Sequence, residues 1–208
     1  MSGQVQPQLW IIAGLNGGGK STVAKTIAGN LIPKDCLNPD AVTQGIIDWL
    51  IAHKIPAKNS VVRTLANWVA VVWVERAVRH AISRGESVSV ETVLSTLKYH
   101  RHVVRAKSRG YAVGMIYVAL STVDLHIERV RLRVDAGGHN VSTIKIHKRR
   151  QLSLDNLFVF EPLVDRLMVF DNSDVFPQPP ALVAAKTHGS WKVFAPQRLP
   201  EIVDRIPV

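Results

Sequence analysis

The segment Gly14-Leu15-Asn16-Gly17-Gly18-Gly19-Lys20-Ser21 constrains this chain more than any other stretch of it. It fits G-x-x-x-x-G-K-[ST] at every fixed position. The apolar run Leu9-Trp10-Ile11-Ile12-Ala13 before it reads as a buried parallel strand. A helix is expected after it, from about Lys20 to the stop at Gly29-Asn30. In that context the glycines allow backbone N–H groups to turn inward around phosphate oxygens, and the helix N-terminus adds partial positive charge. Lys20 is expected to reach the β- and γ-phosphates of ATP, and the Ser21 hydroxyl to bind Mg²⁺. Gly14, Asn16, Gly17, Gly18, Gly19, Lys20, Ser21 and Thr22 are the candidate nucleotide-binding residues. The bland alternative, a glycine-rich turn with a chance lysine, does not explain the flanking strand and helix.

Downstream, strand and helix patterns alternate. Short strands are expected over 35–38, 87–91, 112–120 and 166–170, and helices over 41–53, 60–84 and 98–108. Residues 65–74, rich in valine and tryptophan, read as a buried helix because no breaker interrupts them. Ser121-Thr122-Val123-Asp124 resembles a capping box that opens a helix with the apolar stripe Val123, Ile127, Val130 and Val134, and Gly137-Gly138 stops it. Two helices follow over 143–152 and 154–164, and the proline-bearing tail (Pro177, Pro179, Pro180) reads as irregular, closing in a small hairpin. The alternation predicts an α/β fold whose mainly parallel sheet has five strands, with helices on both faces. Ligands of such folds sit beyond the carboxyl ends of the strands. Residues 1–175 are expected to form the catalytic domain, with a helical lid over about 126–150, and 176–208 an appendage packed on it.

Composition narrows the setting. The 208 residues, 47% of them hydrophobic, suit one core. The longest apolar run, 69–74, is too short to span a bilayer, the N-terminus does not read as a signal peptide, and Cys36 is the only cysteine, so a cytoplasmic protein is expected. The net charge of +10 attracts anions: nucleotides, nucleic acids or an acidic partner protein.

Two carboxylates and a basic stretch are candidates for chemistry. Asp40 follows the second strand, where it either takes the proton of an acceptor hydroxyl or caps the next helix. Glu91 ends the third strand, where a charge is costly unless paired or bound to a ligand. It either holds the Mg²⁺ shell through water, binds the acceptor, or forms a salt bridge at the sheet edge. His126, Arg129 and Arg133 share one helical face, and Arg149 lies on the next helix, across Gly137-Gly138-His139. These arginines either close over ATP phosphates as a lid or serve as a solvated surface.

Taken together and in order, Asn16 in the loop, Asn38-Pro39-Asp40, Glu91-Thr92-Val93-Leu94-Ser95, Gly110-Tyr111, Arg129-Val130 with Arg133-Val134, Gly137-Gly138-His139, Asn156-Leu157 and Asp171-Asn172-Ser173 resemble the zeta-toxin family, in particular its short members often labelled predicted ABC-type ATPases. The resemblance runs over residues 9–173. It implies a P-loop NTPase fold of the nucleotide-kinase type and transfer of the ATP γ-phosphate. In zeta toxins the acceptor is a sugar hydroxyl of UDP-N-acetylglucosamine, and a separate epsilon antitoxin blocks the ATP site.

By position, Lys20 matches the loop lysine, Asp40 the catalytic base, and Glu91 the acceptor-binding glutamate. Arg129 resembles an arginine that contacts ATP phosphates, and Arg133 and Arg149 match arginines of the lid region. Lys20, Asp40, Arg129 and Arg133 are thus the catalytic candidates, Arg149 joins the nucleotide-binding set, and Asp40, Glu91, Thr92 and Ser95 are the acceptor-binding candidates. The sequence departs from the family at Asn38, where the first aspartate of an Asp-x-Asp is usual, at Ala41-Val42, where an aromatic and an arginine are usual, at Val93 in place of threonine, and at Ser142 in place of a second lid arginine. The expected function is an ATP-dependent small-molecule kinase. The alternatives are a nucleic-acid kinase or nucleic-acid-dependent ATPase, disfavoured by the lack of a recognisable nucleic-acid-binding module, and a non-catalytic ATP-binding regulator.

Overall fold

The computed structural model describes residues 6–27, 31–33, 36–57, 59–136, 138, 140–174 and 178–207. The apolar run before the glycine loop is strand β1 (Gln8–Ala13), buried from Leu9 onward. It pairs in parallel with β3 (Val88–Thr92) on one side and β4 (Ala112–Ala119) on the other. Beyond β3 lies the short β2 (Cys36–Leu37), and beyond β4 lies β5 (Arg166–Asp171), both parallel. Alternate residues of β1 serve opposite faces, as a strand buried on both sides requires. Leu9, Ile11 and Ala13 join the main core with Val74, Val78 and Ile82 of α3 (Ser60–Arg84), Val103 of α4 (His100–Ser108), and Leu154, Leu157 and Phe160 of α6 (Thr143–Phe160). Trp10 joins Val23 of α1 (Lys20–Ile27), Ile116, Val118 and Phe170 on the other face.

The predicted α/β architecture is what folds, with one correction. The sheet has seven strands, in the order β2-β3-β1-β4-β5-β6-β7. The tail forms β6 (Ala181–Thr187) and β7 (Ser190–Val193), a hairpin that adds antiparallel to β5. Its turn at His188-Gly189 has both residues at positive φ. Leu199 and Ile202, the latter on the short α7 (Pro200–Val203), then enter the main core. A strand added antiparallel to a parallel sheet needs no crossover helix, so the alternation of the first part gave no sign of it.

Local differences also have physical causes. Helix α3 spans the predicted residues and ends at Gly85, whose φ of 74° is the left-handed C-cap that glycine tolerates. It is not buried all round: Ala66, Ala70 and Val74 face inward, while Leu65, Trp68 and Trp73 are 59%, 65% and 52% exposed. The break expected near 153 does not occur, because the hydroxyl of Ser153 turns away to donate to Val93 O at 2.8 Å and leaves the helix intact. The cap of α5 (Val123–Asp135) is Thr122, one residue later than the capping-box reading, accepting from Leu125 N. The predicted stripe of α5 does pack as a unit, with Leu15, Val141 and Ile146. Asp40 does not cap α2 (Pro39–Ala52): Asn38 does, its Oδ1 accepting from the N–H groups of Asp40 and Ala41. The expected features at Gly29-Asn30, Asp35, Gly137, His139 and Pro177 lie outside the described residues. Among the described residues, no helix is long and apolar enough to cross a membrane.

Candidate active site

The loop follows β1, which lies between β3 and β4; the chain runs from β1 out to β2, back to β3 and then across to β4, so the strand order reverses beside the loop, the crevice position typical of such sheets. Its glycines are dictated by close approach. Gly14 has φ +138° and a Cβ there would strike the carbonyl oxygen of Val118 on β4. A Cβ on Gly19, at φ +82°, would strike the Asn172 amide, which itself donates to Gly18 O at 2.9 Å. Lys20 is only 7% exposed. Its ammonium donates to Leu15 O at 3.2 Å and lies 3.5 Å from Glu91 Oε1. The next hydroxyl, Ser21 Oγ, donates to Glu91 Oε2 at 2.7 Å. One carboxylate at the end of β3 therefore touches both side chains that the loop motif sets aside for phosphate and metal.

Beneath the loop lies His126, 2% exposed, with Nδ1 2.9 Å from Asn16 O. Burial lowers its pKa to about 4, against the raising effect of that hydrogen bond, and nearby Arg150, Lys20 and Arg129 lower it further. The ring is neutral near pH 7 and Nδ1–H is the donor, since a carbonyl only accepts. His126 is thus a support of the loop, not the exposed member of a basic face that its spacing with Arg129 suggested.

Asn16, Lys20, Asp40, Glu91, Thr92, Ser95 and Arg149 line one cleft of about 220 Å³. Asp40 is exposed at the start of α2. The Thr92 Oγ1 accepts from Leu94 N at 3.1 Å, whereas the Ser95 hydroxyl has no hydrogen-bond partner among the described residues. Val93 lines the cleft and packs with Leu15 and Val130. One face of α6 holds this arrangement together at helical spacing. Arg149 Nη1 donates to Asn16 Oδ1 at 3.1 Å, Ser153 to Val93 O, and Asn156 Nδ2 to Leu94 O at 2.7 Å. Leu94 is a non-glycine residue at φ 61°, and the bond from Asn156 helps to keep it there.

Ser21 meets the cleft through Glu91, while Thr22 is exposed on α1 and does not line it. Arg129 and Arg133 do not line it either. Arg129 Nη2 donates to the carbonyls of Ser173 and Asp174 at 3.4 and 3.3 Å, with its Cβ against Gly17. Arg133 packs along Gly138, whose N–H donates to Arg133 O at 2.8 Å. Residues missed by sequence reasoning are Lys98 and Asn67, which complete the cleft wall. The pKa of Lys98 is lowered by burial and raised in part by the Asp40 charge. Neither belongs to a motif with fixed spacing, so only the fold brings them to the cleft.

Among the described residues no group of three or more His, Cys, Asp and Glu side chains is placed to hold a metal. A hydroxyl and a single carboxylate beside a phosphate-binding loop nevertheless fit Mg²⁺, which favours hard oxygen ligands and is usually shared between one or two protein groups, substrate phosphates and water.

The chain is similar to known proteins in sequence and in fold. An uncharacterized protein of Haemophilus influenzae is 27% identical over 145 residues, covering 66% of this chain and 94% of that protein. The AvrRxo1-ORF1:AvrRxo1-ORF2 complex superposes with a TM-score of 0.69 in the structure with sulphate ions and 0.70 in that with ATP, at 18% and 16% identity. Both cover 98% of this chain, which in turn spans just under two thirds of theirs, 66% and 65%. A structure from the PezAT chromosomal toxin-antitoxin system of Streptococcus pneumoniae superposes with a TM-score of 0.61 at 20% identity, over 81% of this chain and 69% of that one. At these identities the structures speak for the fold alone. Residues 1–176 match the zeta toxin family, and with the glycine loop, Glu91 and Asp40 at one cleft, the chain belongs to the zeta-toxin family of P-loop kinases.

Proposed function

We propose that this protein transfers the γ-phosphate of ATP to a hydroxyl of a small molecule, with the sugar hydroxyl of UDP-N-acetylglucosamine as the first candidate acceptor. The observation that carries the reading is the sharing of one cleft by Lys20, Glu91 and Asp40, with Ser21 bonded to Glu91. Phosphate-handling groups and a proton acceptor are thus side by side, as in-line transfer requires.

In this reading the backbone N–H groups of 14–20 cradle the phosphates, and Lys20 leaves Leu15 O and Glu91 to reach the β- and γ-phosphate oxygens. Mg²⁺ held by Ser21 Oγ and, through water, by Glu91 would neutralise charge on those oxygens. Asp40 accepts the acceptor hydroxyl's proton as its oxygen bonds to the γ-phosphorus. The bond from phosphorus to the β,γ-bridging oxygen breaks, and ADP leaves. Ser95, Thr92 and Glu91 orient the acceptor, and Arg149, tethered through Asn16, adds positive charge above the loop. Arg129 and Arg133 belong to the lid, joining the phosphates when α5 and α6 close over the nucleotide. A separate antitoxin protein is the proposed partner, in keeping with the toxin–antitoxin system that one structural relative comes from.

The test is incubation with γ-labelled ATP and Mg²⁺, with and without UDP-N-acetylglucosamine. A labelled sugar nucleotide made by the wild type and not by Lys20→Ala is the expected result. ATP turnover without that product moves the acceptor to another small molecule, in keeping with Val93 and Ala41. Failure to bind ATP overturns the reading.

A further inference from the structure

A second cavity, of about 500 Å³, opens between α3 and α4 and shares no lining residue with the nucleotide cleft. Its charged wall is Glu75, Arg76 and Arg79 from one face of α3 and Arg101 and Arg105 from α4. Glu75 is already committed: it pairs with Arg101 and lies 3.5 Å from His102 Nε2. Arg105 Nη2 donates to Ser83 Oγ at 3.2 Å, a neutral partner. Neither the Arg76 nor the Arg79 guanidinium has a carboxylate or hydrogen-bond partner among the described residues, although the Arg79 carbonyl accepts from Ser83 Oγ at 2.8 Å. The lining therefore carries a surplus of guanidinium charge with a single carboxylate to offset it. His102, 4% exposed, adds no charge of its own near pH 7: burial first, then Arg101, Arg105, Arg79 and Lys98, lower its pKa to about 4.

Guanidinium forks from two helices converging on a concavity match phosphate oxygens in charge and geometry. The volume is that of a small-molecule site, not of an extended groove for a chain. A second copy of this protein would bring +10 against +10. We propose that this cavity binds a phosphorylated small molecule through a terminal phosphate or diphosphate, at a site distinct from the glycine loop.

Inorganic pyrophosphate titrated calorimetrically, without Mg²⁺, into the Lys20→Ala protein reads this cavity with the loop lysine removed. One equivalent is expected to bind. Adding Arg76→Ala and Arg79→Ala should weaken it by about tenfold to a hundredfold, with an unchanged Tm because both side chains are exposed. In the wild-type background the same double substitution should leave ATP binding unchanged. The His102 titration followed by NMR should move upward from about 4 when pyrophosphate is bound. UDP in place of pyrophosphate separates the sources: tighter binding points to a nucleotide, equal binding to the diphosphate alone, and both support the site. Loss of all binding in Lys20→Ala alone, indifference to the arginine substitutions, or equal affinity for an oligo-aspartate peptide would overturn the proposal.

Discussion

His126 shows how a residue without chemistry of its own can govern a site. Its pKa falls from 6.5 in the unfolded chain to about 4 in the fold, so the unfolded state binds the extra proton between those values. Its contribution is fully present above pH of about 6.5 and is lost as pH falls toward 4, up to on the order of 3 kcal/mol. Thermal unfolding at pH 7.5 and pH 5 should therefore show a larger loss for the wild type than for His126→Asn, whose amide can still donate to Asn16 O. His102 acts in the same direction in both proteins, so the difference isolates His126. Gly14→Ala forces a Cβ onto the Val118 carbonyl at a φ that L residues avoid. It should cost about 3 kcal/mol or more, read as a fall in denaturation midpoint. The loop residues were legible in the sequence because their spacing is fixed by phosphate geometry. The burial of His126 was not, because helical spacing with Arg129 describes one helix and says nothing of the loop that lies against it.

At the scale of the element, α6 is the clamp. Tyr117 of β4 donates its hydroxyl to Ser153 Oγ at 3.0 Å, and Ser153 donates onward to Val93 O. Ser153→Ala leaves the buried Tyr117 hydroxyl without its acceptor and Val93 O without that donor. The expected cost is about 1–3 kcal/mol in equilibrium unfolding, with a smaller effect from Tyr117→Phe, which leaves the Ser153–Val93 bond in place. The strand–helix order and the bounds of α3 were legible because apolar periodicity and Gly85 are local signals. The continuity of α6 was not, because a serine between two apolar stretches reads as a break unless its tertiary partner is known. The exposure of Trp68 and Trp73 was hidden for the related reason that composition gives no facing direction.

For the whole molecule, the segment 178–207 is joined to the sheet as well as to the surface. β6 bonds to β5, Arg198 pairs with Asp171 at 2.9 Å and Asp174 at 2.8 Å, and Arg150 pairs with Glu201 at 2.6 Å. We propose that the segment belongs to the kinase unit. Truncation after 176 bares the β5 edge and removes Leu199 and Ile202 from the core, so the shortened chain is expected to aggregate or to unfold well below the full chain in a thermal melt. A soluble truncation with unchanged Tm would contradict that. We propose that phosphoryl transfer depends on Asp40, which lines one cleft with Lys20 and Glu91. The direct measurement pairs ATP affinity with transfer of labelled γ-phosphate to a small-molecule hydroxyl in the wild type and in Asp40→Asn. Retained ATP affinity with transfer reduced by about a hundredfold or more is the predicted result; transfer at the wild-type rate in Asp40→Asn would contradict the account.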